Sequence, residues 1–202
     1  MKSGLKARLV GTVAAVAFTL SPLPLLADMQ AHIGPLKDVV ELGQDGEWTL
    51  EDKGGWFTMT NTDAPGAIRY YWIELRDNQG PDYVASMNVV AQTDVAENPS
   101  FAGMIFNYKA KDRYMGVAIG TNGGGYIFIR TPDGFDTHRA KNVEARNDGS
   151  DMLRAHVTAN KVRFELNGDT LFSIDSPDGF SPKLGVLAIG QGQFGFTGLS
   201  VY

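Results

Sequence analysis

The chain has 202 residues, a net charge of −5 at pH 7 with His neutral, and no cysteine. This length suits one domain with a sizeable core. The lack of cysteine excludes disulfides, thiol chemistry, cysteine-ligated zinc and a lipidated cysteine after a signal. The acidic balance disfavours nucleic acid and anionic lipid surfaces as partners.

Residues 1–27 have the pattern of a cleavable export signal. Three basic residues and no acid precede Asp28, an apolar run spans Leu9 to Leu20, and Ala27 supplies the small residue before the cleavage point. That run is shorter than the roughly 20 residues that span a bilayer, which disfavours a membrane anchor as the alternative. We therefore expect a bacterial protein in the periplasm or the medium, without membrane insertion once the signal is removed. Its net charge would then be −8.

The rest of the chain consists of short β-prone runs separated by Gly, Pro, Asn and Asp, which is typical of an all-β domain. In chain order the predicted strands are 48–50, 56–60, 68–75, 83–90, 102–108, 114–119, 126–130, 153–157, 162–166, 170–174, 184–189 and 194–201. The polar stretch 131–151 is predicted to be a loop. So many short strands favour a two-sheet antiparallel β-sandwich, formed as one domain by residues 28–202.

Two local patterns support this interpretation. Asn167-Gly168 separates two alternating runs, and both residues tolerate the positive φ of a type I′ hairpin turn. The Gly-rich segment 120–125 lies between two predicted strands, and no helix follows it. We interpret it as a hairpin turn and not as a phosphate-binding loop.

Five segments in the second half of the chain carry further motifs. They are the hairpin of Gly103–Tyr108 with Asp112–Val117, the strand Tyr126–Arg130, the hairpin Val162–Gly168, and the last two strands, at Gly185–Leu187 and Phe196–Val201. Together they resemble the strands and hairpins of the concanavalin A-like lectin and glucanase superfamily, which includes the laminin G-like jelly rolls. The resemblance covers residues 83–202 and implies a jelly-roll sandwich. Because that family contains sugar binders, glycan-cleaving enzymes and protein-binding domains, it also implies carbohydrate as an expected ligand class.

The acidic residues do not form a glycosidase pattern. A retaining glycosidase needs two carboxyl groups about 5–5.5 Å apart, which alternate acids on one strand can supply. No predicted strand has them, and the candidate acids are interpreted as solvated surface groups: Glu41, Asp45, Glu47, Glu144, Asp148, Asp151 and Glu165. There is also no Gly-x-Ser-x-Gly elbow for a nucleophile.

Metal binding has little support in the sequence. His32, His138 and His156 are isolated and lack the spacing of transition-metal ligands, so no such site is expected. A structural calcium ion stays open, because oxygen ligands can come from loops such as Asn147–Asp151 and Asp45–Glu47. Ordinary turn chemistry explains both segments as well.

Aromatic residues supply the candidate binding surface. Tyr126, Phe128 and Arg130 alternate onto one face of a strand, and Trp72 or Tyr108 is expected to flank them. Rings with polar tips suit sugar binding, and Arg130 could hold a hydroxyl or a carboxylate. The alternative is that these rings belong to the core. The leading hypothesis is an exported, noncatalytic module for a carbohydrate or a cell-envelope glycan. A glycan hydrolase or lyase with an unrecognised site and a protein-binding sandwich stay as alternatives.

Overall fold

A computed structural model describes residues 40–75, 82–93, 98–146, 149–175 and 181–202. These residues form β-strands joined by turns and loops, without a helix. Over the same ranges, accordingly, no helix has the length and apolar character needed to cross a membrane. The predicted signal, its boundary at Asp28 and His32 lie outside the described residues.

The strands form two sheets that pack face to face. In chain order they are β1 (Gly43–Asp45), β2 (Trp48–Lys53), β3 (Trp56–Asn61), β4 (Ile68–Glu74), β5 (Tyr83–Gln92), β6 (Phe101–Ala110), β7 (Arg113–Gly120), β8 (Gly124–Thr131), β9 (Gly134–Glu144), β10 (Asp151–Val157), β11 (Lys161–Leu166), β12 (Asp169–Asp175), β13 (Lys183–Ile189) and β14 (Gly192–Val201). The eight-stranded sheet has the order β1-β2-β3-β14-β5-β10-β11-β12, and the six-stranded sheet has the order β4-β13-β6-β7-β8-β9. Every pairing is antiparallel, which confirms the predicted sandwich.

Period-two alternation builds the core between the sheets. In β10 the apolar side chains of Leu153, Ala155 and Val157 are buried, whereas Arg154 and His156 lie on the opposite side of the strand. Both sheets supply large side chains that are fully withdrawn from solvent; they include Trp48, Phe164, Phe194, Phe106 and Met115. Burial of this apolar area is the main favourable contribution to folding.

Two elements differ from the prediction. The loop predicted over 131–151 is wrong for Gly134–Glu144, because these residues form β9 at the edge of the six-stranded sheet. The side chains from Phe135 to Arg139 are exposed, so the segment lacks the apolar alternation by which strands are recognised. The short strand β1 pairs with β2 in a region that was predicted to be a turn.

The Asn167-Gly168 hairpin is confirmed. Leu166 ends β11, Asp169 begins β12, and the two residues between them have φ angles of 53° and 97°. Both angles lie in the left-handed region that a type I′ turn requires. The Asn167 side chain also donates to Asp151 Oδ1 at 2.6 Å, which ties this turn to the start of β10.

A polar contact connects the two sheets at one corner. The Tyr71 hydroxyl on β4 donates to Asp45 Oδ2 at 2.5 Å, and Arg69 Nη1 lies 3.1 Å from the same oxygen. Burial and the hydrogen bond to Asp45 raise the pKa of Tyr71 above its usual value. The contact joins the β1–β2 hairpin to the edge of the six-stranded sheet.

Candidate functional site

Aromatic side chains cover the outer face of the six-stranded sheet. We call this surface the aromatic face; its rings are Tyr70, Trp72, Phe101, Tyr108, Tyr114, Tyr126, Phe128 and Phe135. Buried residues of this face form an apolar cluster of their own, separate from the core between the sheets. A second hydrophobic layer on the outside of a sheet is unusual for a surface that only meets water, and such surfaces mark interaction sites.

Alternation along β4 places two of these rings outside. Tyr71 faces inward and packs against the core, so its neighbours Tyr70 and Trp72 face outward. The three consecutive aromatics of β4 therefore divide between the core and the outer face.

Four rings, of which Tyr114 is buried at 5% exposure, form one half of the aromatic face, which we call the tyrosine–tryptophan cluster: Tyr70, Trp72, Tyr108 and Tyr114. The Trp72 and Tyr108 rings stack with centroids 5.5 Å apart at 24°. The Tyr70 ring lies 5.4 Å from both the Tyr108 ring and the Tyr114 ring. Trp72 is 37% exposed, and Tyr70 and Tyr108 are half-buried. The cluster therefore offers the ring of Trp72 and part of the Tyr70 and Tyr108 rings to solvent, whereas burial and a hydrogen bond with Tyr108 raise the pKa of the Tyr70 hydroxyl.

A backbone irregularity brings Tyr108 to this face. Phe106 points into the core, and regular alternation would point Tyr108 the same way. Asn107 has a φ of 49°, and the pairing of β6 with β7 shifts between Phe106 and Ala110. Such a β-bulge redirects the following side chain. The Tyr108 carbonyl also accepts a hydrogen bond from Ser181 Oγ at 2.6 Å, which fixes this position.

The other half of the aromatic face is closed. Tyr126 and Phe128 are only 8% and 3% exposed, because other rings cover them. Phe101 meets their rings edge-on at centroid distances of 4.9 Å and 5.2 Å, and Phe135 lies 5.6 Å from Phe128. The Tyr126 hydroxyl accepts a hydrogen bond from Asn122 Nδ2 at 2.7 Å. Tyr126 and Phe128 therefore present little ring area to a ligand, and the exposed ring of this half is that of Phe135, at 40%.

Three cationic side chains lie among the rings. Lys183 Nζ is 4.3 Å from the centroid of the Trp72 ring, and the Arg139 guanidinium is 5.8 Å from that of Tyr126. Arg130 pairs across the sheet with Tyr114 on one side and Phe135 on the other. Burial raises the pKa of Tyr114, and the positive charge of Arg130 opposes this effect.

The five residues predicted for a binding site lie on one face of one sheet. The side chains of Tyr126, Phe128 and Arg130 point to the same side of β8, as the period-two alternation predicts. Trp72 and Tyr108 are on that side of the sheet as well. The five differ in solvent exposure, because Tyr126 and Phe128 are buried in the closed half, whereas Trp72, Tyr108 and Arg130 are partly exposed. Ligand binding by any of the five stays a prediction.

Other residues of the face were not predicted as a site. Phe135, Thr137 and Arg139 alternate outward along β9, and that spacing was a usable signal. The prediction of a loop over residues 131–151 left this alternation unused. Lys183 has no sequence signal, since only the pairing of β13 with β4 brings it to Trp72.

Two acids differ from the expectation that the acids are solvated. Glu165 on the outer side of the eight-stranded sheet is buried beside two arginines and a histidine: Arg154, His156 and Arg163 lie 3.4, 3.1 and 3.2 Å from its carboxylate oxygens. Asp151 is fully buried, and its Oδ1 accepts from the Arg146 backbone N–H and from Asn167. The partners of Glu165 offset the cost of its burial, whereas Asp151 Oδ2 is buried without a hydrogen-bond partner among the described residues.

Metal ligands are sparse in the part of the chain that the structure describes. There, His, Asp and Glu side chains do not gather in threes around a point that could hold a metal ion. Asp45 is engaged by Tyr71 and Arg69, His138 contacts Asp136 at 2.9 Å, and His156 contacts Glu165. Residues 147–148 of the predicted calcium segment lie outside the described residues. Calcium dependence stays a prediction.

Comparison with known proteins identifies the fold. No protein-family model matches the sequence, and neither does any curated protein. A protein of unknown function from Saccharomyces cerevisiae aligns with a TM-score of 0.55 and 14% identity, over 80% of this chain and 94% of its own. A GlcNAcα1-4Gal-releasing endo-β-galactosidase from Clostridium perfringens aligns with a TM-score of 0.52 and 8% identity, over 76% of this chain. A variant of human galectin-16 aligns with a TM-score of 0.51 and 10% identity, over 65% of this chain and 94% of its own.

These similarities concern the fold alone, because all the identities are low. The chain spans about half of the endo-β-galactosidase, 53% of its length. The architecture is a jelly-roll sandwich, with the coarse fold of lectins and glucanases.

Proposed function

We propose that this chain is an exported carbohydrate-binding β-sandwich that binds a glycan, such as one of the cell envelope, without cleaving it. The observation that carries the proposal is the tyrosine–tryptophan cluster. Its rings combine an exposed apolar surface with phenol groups, and sugars combine C–H faces with hydroxyls. The Trp72 ring and the Tyr108 ring provide the surface, and Arg130 provides a donor at the far side.

The fold supports a glycan as ligand. The sandwich is shared with an endo-β-galactosidase, a protein that acts on a carbohydrate. We further propose that the chain belongs to the concanavalin A-like lectin and glucanase superfamily, on the motifs quoted above. Fold alone does not assign function, so the argument depends on the surface itself.

The distribution of carboxylates supports binding without cleavage. Among the described strand residues of the aromatic face, the acids are Glu74 on β4 and Glu144 on β9, at the two edges of the six-stranded sheet. Five strand spacings of about 4.8 Å separate these edges by roughly 24 Å. A glycosidase needs its two carboxyls within about 5–10 Å of each other. The two acids cannot act as such a pair.

Export to the periplasm or the medium is proposed from the sequence of residues 1–27. The product would then begin at Asp28, as an intact-mass measurement of the natural protein would show. Retention of Met1 on a membrane-bound product would contradict the proposal.

A glycan array probed with the purified protein tests the proposed function, with reducing-end assays alongside to detect cleavage. We expect binding to at least one glycan family, loss of that binding in Trp72→Ala, and no new reducing ends. Ile68→Ala is the matched control, because Ile68 lies on the same strand and the same face and is similarly exposed at 41% against 37%. Binding that survives Trp72→Ala, or no binding to any glycan, contradicts the proposal.

A further inference from the structure

The cations of the aromatic face are placed around its rings. Lys183 lies beside Trp72 at one side of the tyrosine–tryptophan cluster, and Arg130 lies opposite Tyr114 at the other. The sheet order β13-β6-β7-β8 separates the two strands that carry them by three spacings. At about 4.8 Å for each spacing, the two positive groups are roughly 14 Å apart across the strands. Tyr108 on β6 lies between them.

These charges are available to a ligand. Within the described ranges, Lys183, Arg130 and Arg139 take part in no ion pair, whereas Arg69, Arg154 and Arg163 each contact a carboxylate. Glu74 is the Cα partner of Lys183 but forms no ion pair with it. Arg139 is exposed, and Lys183 and Arg130 are half-buried. Among the described residues, the face thus carries three cations without an ion pair, and two acids at its edges, on a chain whose net charge is −5.

The positive charge of Lys183 and Arg130 favours an anionic glycan over a neutral one. A neutral glycan can accept hydrogen bonds from Lys183 and Arg130 through its hydroxyls, but it leaves both charges to be desolvated without a charged partner. A glycan with regularly spaced anions meets both, through charge-assisted hydrogen bonds that are stronger than neutral ones. The rest of the acidic surface repels the same polymer, which directs it to this face.

On the basis of the proposed glycan-binding function, we propose that the ligand is an acidic polysaccharide whose uronate or sulfate groups bind Lys183 and Arg130 while a sugar ring lies against Tyr108 between them. The chain of the polymer then crosses the strands of the six-stranded sheet. Arg139 extends the positive surface toward β9 and can meet a further anionic group.

Affinity measurements with three defined polymers test this inference: polygalacturonate for uronate, dextran sulfate for sulfate esters, and neutral dextran. The variants are Lys183→Gln, Arg130→Gln and, as the matched control, Lys161→Gln, which removes one charge from an exposed position on the other sheet. We expect an acidic polymer to bind more tightly than dextran, and about five- to tenfold weaker binding in each face variant but not in the control. Raised salt should weaken binding of the acidic polymer. The acidic polymer that binds identifies uronate or sulfate as the anionic group.

Three results would overturn the inference, and they differ from failure of the proposed function. Equal loss in Lys161→Gln would show general charge attraction. Unchanged affinity in Lys183→Gln and Arg130→Gln would show that these cations make no contact, and so would a preference for dextran. In each case binding that depends on Trp72 still supports glycan binding. No binding to any polymer or array glycan removes the proposed function and this inference together.

Discussion

Replacement of Tyr126 by alanine tests how firmly the closed half of the aromatic face is packed. Tyr126 is 8% exposed, and its ring meets the edge of Phe101 at a centroid distance of 4.9 Å. Its hydroxyl accepts the hydrogen bond from Asn122. Alanine removes the ring and the hydroxyl together, so the variant has a cavity on the face and Asn122 loses its acceptor.

The expected loss in the free energy of unfolding follows from the area that the Tyr126 side chain buries. A buried aromatic side chain withdraws about 150–250 Å² from water. At about 25 cal/mol per Å² this gives an upper value of roughly 4–6 kcal/mol. Truncation of large aromatics in cores lowers stability by about 3–5 kcal/mol, and we expect this range for Tyr126→Ala. Each kcal/mol lowers the melting temperature of a domain of this size by about 2–4 °C, so the midpoint should fall by roughly 6–20 °C.

Calorimetry and urea unfolding measure this loss directly. Tyr126→Phe is the matched control, because it keeps the ring and loses only a hydrogen bond worth about 0.5–1.5 kcal/mol. A Tyr126→Ala variant that melts within about 2 °C of the natural chain would refute the buried assignment. Tyr126 would then have to be counted with Trp72 and Tyr108 as open ring surface.

Two further predictions concern stability. Gly168→Val should lower the free energy of unfolding by about 1–2 kcal/mol, because Gly168 has a φ of 97° that a β-branched side chain tolerates poorly; an unchanged urea midpoint would show that the turn relaxes. The folded state raises the pKa of Tyr71 above the 10.0 of a free tyrosine, so it retains a proton that the unfolded chain releases. The stability that this retained proton provides is fully present below about pH 10, the pKa of the unfolded tyrosine, and declines as the pH rises above that value. In urea unfolding, Tyr71→Phe should therefore make the decline from about pH 9 to 11 shallower. An equal decline in both chains would contradict this.

Much of the fold could be predicted from the sequence, because its strands bury one side. Alternation in Leu153–Val157 and the turn chemistry of Asn167-Gly168 are local properties, and both predict the structure correctly. The edge strand Gly134–Glu144 has mostly exposed side chains and is held by backbone pairing with β8, a partner that no local pattern reveals. Strand prediction from apolar periodicity fails for such edges.

The candidate site was predictable in part for the same reason. Successive side chains of a strand point to opposite sides of the sheet, so the sequence alone assigns Tyr126, Phe128 and Arg130 to one side. Exposure depends on what covers a ring, and Phe135, which covers Phe128, comes from the strand that was missed. Only the bulge at Asn107 decides that Tyr108 faces outward. The Asn167-Gly168 pair signals its positive φ angles, whereas Asn107 is followed by Tyr108 and the sequence there gives no such signal.

The position of β4 determines when the aromatic face can form. Among the described strands, β4 is hydrogen-bonded only to β13, which begins at Lys183 near the end of the chain. Tyr70 and Trp72 therefore reach Tyr108 and Tyr114 only after a loop of more than a hundred residues has closed. Contacts so distant in sequence form late and slowly in folding. A nascent or truncated chain that lacks β13 would contain five of the six strands of this sheet, yet nothing would hold Tyr70 and Trp72 beside Tyr108 and Tyr114.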